Sequence, residues 1–418
     1  MAKKEFQAES KRLLDLFINS IYTNKESFLR EVISNSSDAI DKLCYKALTD
    51  ESVEMSRDDF KISIATDPKA RTLTISDNGI GMTKEELETN LGTIAKSGSL
   101  SFKRNLMEQE DIEPDIIGQF GVGFYSCFLV GKRVTVVSRA FGSDEAWQWQ
   151  SEGADGFEIT PAERAEVGTD VTIDLRDNTD DENYDRYYQE AILKLLVRKY
   201  SDYIRWPIYV GEYVSNSRIP IWQRTKQEMP DEDCYAYYRA VWHDTMDPVS
   251  VLRVDAEGSS FSFRAMLFIP SQVPYEFYTP AYKPGLRLYS SGVLIKEDCA
   301  ELIPDYFRFV RGVVDSPDLS LNISREALQH DRQLKLIASS LEKKIKAELT
   351  RLMNREPEKY DTFYKAFGRQ LKYGVMANYG INKDKVKDLL MFYSHNQNKN
   401  ITLEQYVAAM KEGQKHIY

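Results

Sequence analysis

Hydrophobic and polar positions along this chain repeat at two periods. From Phe28 to Leu43 the period is helical: Leu29, Val32, Ile33, Ala39, Ile40 and Leu43 share one arc of the wheel. Glu31, Asn35, Asp38 and Lys42 stack on the opposite arc, turn by turn. Thr23-x-x-Glu26 predicts a capping box at the start of this helix. Phe6, Leu13, Leu14, Phe17, Ile18 and Ile21 predict an earlier amphipathic helix over 5–21. Period two takes over in Phe60–Thr66 and Arg71–Ser76, which predict a hairpin turning at Asp67–Ala70. A short helix is predicted from Thr83 to about Leu91. Alternating segments at Arg133–Ala140, Ala146–Gln150 and Thr169–Leu175 extend the hairpin into a mostly antiparallel sheet with helices on one face, an α+β arrangement.

A helix over Tyr188–Tyr203 and a strand over Arg205–Val210 close a first domain, expected to span 1–210. Gly211–Ser217 is expected to be a short linker, and 218–418 a second domain. There, strands are predicted at Ser250–Val254, Phe261–Ile269 and Arg287–Ile295, with an aromatic, proline-punctuated loop at Pro274–Pro280. Helical patterning runs from Glu326 to about Met353, resumes over Tyr360–Leu371, and is expected to continue to the end of the chain.

Composition narrows the function classes. With 42% hydrophobic and 29% charged residues the chain is globular, and 418 residues are long for a single core. A net charge of −10 argues against nucleic acid as the principal partner. Cys44, Cys127, Cys234 and Cys299 are far apart with no CxxC, and His243, His330, His395 and His416 show no ligand spacing, so zinc chemistry and a disulfide framework have no support. No apolar run resembles a signal peptide or a membrane span; the expected location is the cytoplasm.

Two glycine clusters carry candidate chemistry. Asp77-Asn-Gly-Ile-Gly-Met82 comes after a predicted strand, where glycines let the backbone turn sharply and approach a ligand. Ile117-Gly-Gln-Phe-Gly-Val-Gly-Phe-Tyr-Ser126 has the spacing GxxGxG and is expected to feed a helix N-terminus suited to phosphate. That spacing is neither a P-loop nor a dinucleotide fingerprint. Between them, Leu91-Gly-Thr-Ile-Ala-Lys-Ser-Gly-Ser-Leu100 has the small, hydroxylated composition of a flap over phosphates.

The polar helix stripe, the Asp77 turn and the Gly118 loop, in this order, resemble the Bergerat-type ATP site of heat-shock protein 90 chaperones, type II topoisomerases, mismatch-repair ATPases and histidine kinases. Phe28–Asp38, Leu91–Ser97, Ile117–Ser126 and Leu321-Asn-Ile-Ser-Arg-Glu326 are similar to the heat-shock protein 90 family in particular, and the likeness covers nearly the whole chain. Without a long acidic segment after residue 210, it is closer to the bacterial members. The fold so implied is a Bergerat ATPase α/β sandwich, then an α/β middle domain with a helical segment and a small C-terminal α/β portion. The family carries a dimerisation domain after its middle domain, and this sequence stops at Lys411–Tyr418. It is therefore expected to be an amino-terminal plus middle-domain fragment, monomeric or weakly dimeric.

By this resemblance Asp77 accepts a hydrogen bond from the adenine amino group, with Gly81 and Met82 lining the base pocket and Thr169 supporting the Asp77 end. Asn35 binds Mg2+, an oxygen-seeking cation that keeps several waters. Asp38 is a further implied cofactor-binding residue, and Asn90, Lys96 and the backbone of the loop residues Gly118, Gly121, Val122, Gly123 and Phe124 hold ribose and phosphates, with 92–116 as a lid. Glu31, one turn before Asn35, is the implied general base. Arg325, beside Asn322 and Gln329, is the implied arginine contributed by the second domain to the γ-phosphate. The expected activity is that of an ATP-dependent chaperone: lid closure and domain docking around non-native clients, slow hydrolysis, co-chaperones among the partners. The aromatic loop 274–280, Trp242 and the helices beyond 330 are the candidate client surface. The alternatives are a topoisomerase- or histidine-kinase-like ATP domain, and a nucleotide-gated scaffold that does not hydrolyse.

Overall fold

A computed structural model describes residues 24–417 except 49, 51, 54, 95–97, 100–101, 103–116, 119–120, 154–155, 226, 258–261, 318 and 320–331. The predicted helix over 5–21 lies outside these residues, as do Thr23, Lys96, most of the expected lid, and Arg325 with Asn322 and Gln329. The chain forms two compact units. The first holds the described residues up to Pro220 with Ser290–Ile295, and the second holds Ile221–Tyr289 and the described residues from Lys296 onward.

In the first unit, helix α1 (Ser27–Ala47) lies over strands β1 (Ile62–Asp67) and β2 (Thr72–Asp77). Thr23 of the expected capping box lies outside the described residues, and the residue at the N-cap of α1 is Glu26. Glu26 makes no capping bond; its carboxylate takes hydrogen bonds from Arg186 at 2.9 Å and from the Tyr200 hydroxyl at 3.0 Å. Tertiary contacts thus add to a local one at this helix end, where Asn24 Oδ1 accepts from the Glu26 N–H at 2.9 Å. Burial also departs from simple amphipathicity: besides Leu29, Val32, Ile33, Ile40 and Leu43, the polar Glu31, Ser34, Ser36, Ser37 and Asp38 are buried, while Asn35 is exposed.

The hairpin forms as expected, with Ile62 opposite Asp77 and Asp67 opposite Thr72. The Asp67 carboxylate accepts from the backbone N–H groups of Lys69 and Ala70, the local reason the chain turns there. Helix α2 (Lys84–Gly92) begins at a true capping box between Thr83 and Glu86. Strands β3 (Gly131–Arg139), β4 (Ala146–Ser151), β5 (Glu158–Ala162), β6 (Gly168–Leu175), β7 (Ile208–Val210) and β8 (Tyr213–Val214) complete an eight-stranded sheet in the order β5-β4-β3-β6-β2-β1-β7-β8. It is antiparallel but for the β1–β7 pair. Helix α3 (Glu190–Tyr200) buries Leu193, Leu196 and Val197 and packs on α1.

Two expectations are corrected here. The segment after the glycine loop, Gly123–Leu129, is a 3-10 helix rather than the start of an α-helix, and it lies along α1. Residues 211–217 are not a free linker: Tyr213–Val214 pairs with β7, and buried Asn216 accepts from the Ile208 N–H while donating to the Ile204 and Trp206 carbonyls. An asparagine that satisfies three backbone groups locks its segment to the domain.

In the second half of the chain, helix α4 (Asp231–Trp242) precedes a five-stranded sheet of β9 (Ser250–Glu257), β10 (Ser262–Ile269), β11 (Leu286–Ser290), β12 (Val293–Cys299) and β13 (Arg311–Asp315), in the order β12-β11-β13-β10-β9. The single strand expected at 287–295 is two strands folded at Ser291-Gly292, both with positive φ, as a two-residue hairpin turn requires. Helix α5 (Arg332–Arg355) buries Leu334, Ile337, Leu341, Ile345, Leu349 and Leu352 at helical spacing against α6 (Pro357–Gly380), whose regular backbone breaks at Ala377–Tyr379. Helix does not run to the end. After α7 (Lys383–Val386), the hairpin β14 (Met391–Ser394) and β15 (Lys399–Thr402) intervenes before α8 (Leu403–Ala408). No helix among the described residues is long and apolar enough to cross a membrane.

Candidate functional site

Period two in β2 puts Leu73, Ile75 and Asp77 on the same buried face, so the alternation that builds the core also carries a carboxyl into it. Register then aligns that carboxyl with two hydroxyls. Asp77 lies opposite Thr169 on β6, and Thr169 opposite Ser138 on β3, in one row across three strands. Ser138 Oγ and Thr169 Oγ1 are 2.9 Å apart, Ser138 donates to the Gly168 carbonyl at 3.1 Å, and it accepts from the Met82 N–H at 2.9 Å. With Thr169 donating to Ser138, every hydroxyl proton in this row has an acceptor.

The Asp77–Met82 turn is thus braced by β3 on one side. Phe141 N–H donates to the Ile80 carbonyl at 2.8 Å, and Ile80 N–H donates to the Ala39 carbonyl of α1 at 3.0 Å. Gly81 has φ +67, and a Cβ there would stand 2.0 Å from the Arg139 carbonyl oxygen, so no side chain fits. Asp77 Oδ1 accepts from the Gly79 N–H at 3.0 Å. Burial nevertheless pushes its carboxyl up to about 6, against the pull of the Gly79 and Ser36 hydrogen bonds. Nearby on α1, burial lowers the Lys42 ammonium below its ordinary range, although Asp38, Glu86 and Asp77 all favour its charge.

The α1 stripe forms the other wall. Asp38 accepts from two loop amides, Ile117 N–H at Oδ1 (2.8 Å) and Gly118 N–H at Oδ2 (2.7 Å). A Cβ on Gly118 would come within 2.9 Å of Asp38 Oδ2 and 3.2 Å of Asn35 Oδ1. Glu31 is buried beside Arg30, with Arg30 Nη2 3.0 Å from Glu31 Oε1. Its other oxygen, Oε2, faces Gly123, where a Cβ would stand 2.6 Å away. Glu31, Asn35 and Asp38, at helical spacing, therefore all border the glycine loop.

Val122 and Phe124 are buried and Gly121 carries a positive φ of +66. Phe124 is held edge-on to Trp149 at 5.3 Å, and the Tyr125 hydroxyl donates to the Leu91 carbonyl at 2.8 Å, which joins the loop to the end of α2. Asn90, on that helix, lies beside Gly98, whose Cβ would meet Asn90 Oδ1 at 3.0 Å. Lys96 and Arg325 lie outside the described residues. Of the candidate client surface, Tyr275 is fully exposed, whereas Phe277 is buried and Trp242 packs on Tyr238 and Phe268 in its own unit.

Sequence reasoning missed Ser138, and missed Arg164, whose guanidinium donates to the Asp77 carbonyl at 3.0 Å. Neither belongs to a glycine motif. A serine at a core-facing strand position was the available signal for the first.

A family model described as Hsp90 protein matches residues 211–418, and one described as histidine kinase-, DNA gyrase B-, and HSP90-like ATPase matches 22–172. The second is shared with kinases and gyrase; whole-chain relatives separate the possibilities. The chain is 53% identical to the chaperone protein HtpG of Bacillus subtilis (strain 168), 54% to that of Clostridium botulinum (strain Okra / Type B1) and 53% to that of Alkaliphilus metalliredigens (strain QYMF). Each alignment covers 100% of this chain and 69% of the relative. With an ATPase match in the first half, an Hsp90 match in the second and HtpG relatives across the whole, the chain belongs to the heat-shock protein 90 family and is an ATP-dependent molecular chaperone.

Proposed function

We propose that ATP lies with its base against Asp77 and its phosphates along the Gly118–Phe124 loop, and that Glu31 is the general base for its hydrolysis. The observation that carries this reading is the meeting of a buried carboxyl with a closed hydroxyl row at one end, and of three polar α1 side chains with a glycine loop at the other. Asp77, buried and near-neutral in its pull for a proton, is suited to take the adenine amino hydrogen; guanine offers an oxygen at that position, which a carboxylate repels. Gly81 and Met82 line the base, Thr169 supports Asp77, and Asn90 and Lys96 hold ribose and phosphates. Residues 92–116 form the lid.

Asn35 fits a divalent cation. Its amide oxygen is a hard neutral donor on an exposed side chain at the loop's edge, as Mg2+ beside phosphates requires. When bound, Mg2+ neutralises phosphate charge. This chain's own contribution is orientation: Arg30 fixes one Glu31 oxygen and leaves the other toward the loop, where it takes a proton from an attacking water. Asp38 holds the loop amides.

Arg325 supplies the remaining positive charge from the second domain, so hydrolysis is slow until the two domains close. The partners are non-native client proteins and co-chaperones, with Tyr275 and Tyr278 the exposed aromatics of the 274–280 loop. The cytoplasm is the expected location. Single-turnover hydrolysis of ATP by the wild type and Arg325→Ala tests the scheme: a rate lower by about 10³-fold at unchanged affinity is expected, and equal rates would refute a catalytic Arg325.

A further inference from the structure

We propose that Arg164, on the loop between β5 and β6, is a positioning residue for base recognition: its guanidinium, forked onto Asp170 and bonded to the Asp77 carbonyl, holds Asp77 where the base meets it. This rests on the reading of Asp77 given above and extends it to a residue that touches no nucleotide.

The geometry is that of a clamp. Arg164 Nε and Nη2 reach the two Asp170 oxygens at 3.1 and 3.2 Å, a bidentate pair, and Nη2 also donates to the Asp77 carbonyl at 3.0 Å. Nη1 donates to the Glu166 carbonyl and closes the loop on itself. Only 12% of the Arg164 side chain is exposed. Arg139, from the end of β3, donates to the Ala165 carbonyl at 2.6 Å and holds the same loop from the opposite side. Gly168 leaves room for the arrangement, since a Cβ there would stand 2.1 Å from the Asp77 carbonyl oxygen. An arginine with all these partners fixes the last residue of β2 at the point where the chain leaves the sheet.

The clamp also brings opposite charges to bear on Asp77. Its carboxyl takes hydrogen bonds from the Ser36 hydroxyl of α1 and the Gly79 N–H of its own turn, and feels the charges of Lys42 on α1, Asp170 on β6 and Arg164 on the loop, with Asp38 and Glu86 acting on Lys42. Arg164 favours the ionised carboxyl and Asp170 opposes it. Removing either breaks the same fork, but the electrostatic consequences have opposite signs.

Calorimetric titration of the full chain with ATP and magnesium from pH 5 to 8.5 tests this. Arg164→Met should weaken ATP about ten-fold at neutral pH and move the acid limb of the affinity profile to higher pH. Asp170→Asn should move that limb to lower pH, and Arg164→Lys, which keeps the charge and loses the fork, should weaken binding with the limb nearly in place. Arg164→Lys and Asp170→Asn still decide the matter if Arg164→Met does not fold. If all variants weaken ATP alike with the limb unmoved, or none weakens it, Arg164 is a structural residue only and the inference fails. A wild type that binds no ATP would instead remove the Asp77 reading on which it rests.

Discussion

The two ends of the candidate site are held by different physics. At the Asp77 end, strand register and closed hydrogen bonds do the holding: Ser138 and Thr169 complete each other, and main-chain bonds tie Ile80 to Phe141 and Ala39. At the loop end the partners are carboxyl side chains on one helix, with Asp38 accepting from Ile117 and Gly118, and Glu31 facing Gly123. The first end spends stability to keep a carboxyl in a dry place; the second uses the Asp38 carboxyl to satisfy loop amides. Damage to the first should appear in affinity and in selectivity between bases, and damage to the second in turnover, loop order and phosphate binding without loss of selectivity.

The largest effect expected is on rate. Glu31→Ala should lower turnover by roughly 10²–10⁴-fold and leave ATP affinity within a few-fold, read by hydrolysis assay beside titration. Unchanged turnover would remove Glu31 as the base and erase the distinction between the ends. Next is Asp77→Asn, which should weaken ATP by about 100-fold without lowering the melting temperature. A carboxyl raised from 3.8 to about 6 costs the folded state on the order of 3 kcal/mol above pH 6, and the amide avoids that cost. Loss of both binding and stability would make Asp77 an ordinary turn residue.

Asp38→Asn sharpens the comparison at the loop end. An amide offers one acceptor where the carboxylate offers two, so one of the Ile117 and Gly118 N–H groups loses its bond. ATP affinity should fall about ten-fold, in keeping with a charged hydrogen bond. The smallest effect is that of pH. The folded-state value for Asp77 lies above the ordinary one, so the unfolded chain gives up its proton first; stability declines as pH rises from about 4 to 6 and is lower above. Nucleotide binding has the opposite slope, because it needs the ionised form: affinity should drop about four-fold between pH 7.5 and 5.5. A flat profile would mean that the base does not engage this carboxyl.

Much of the fold was legible because local patterns were decisive where they were strong. The Asp67 turn, the Thr83 box and the alternation in β2 and β6 each have a local cause, and the hairpin, α2 and the central strands came with them. What escaped depends on contacts distant in sequence. Glu26, at the start of α1, is held by Arg186 and Tyr200, and residues 211–217 are locked by Asn216 reaching back to Ile204–Ile208. The Ser291-Gly292 fold is local and was missed because apolar residues continue on both sides of it. In the site, the glycine motifs and the α1 stripe were readable, since close approach and helical spacing leave marks in sequence. Ser138 was not, because only strand register brings it to Asp77, and Arg164 was not, because a loop anchored on Asp170 carries it there.

The central claim is that Asp77 reads an adenine base, and parallel calorimetric titrations of the wild-type chain with ATP and GTP at pH 7.5 test it most directly. ATP should bind at least about 100-fold more tightly than GTP, the discrimination expected where a site left with the wrong hydrogen-bonding partner stays unsatisfied. Equal affinities for the two nucleotides would contradict it.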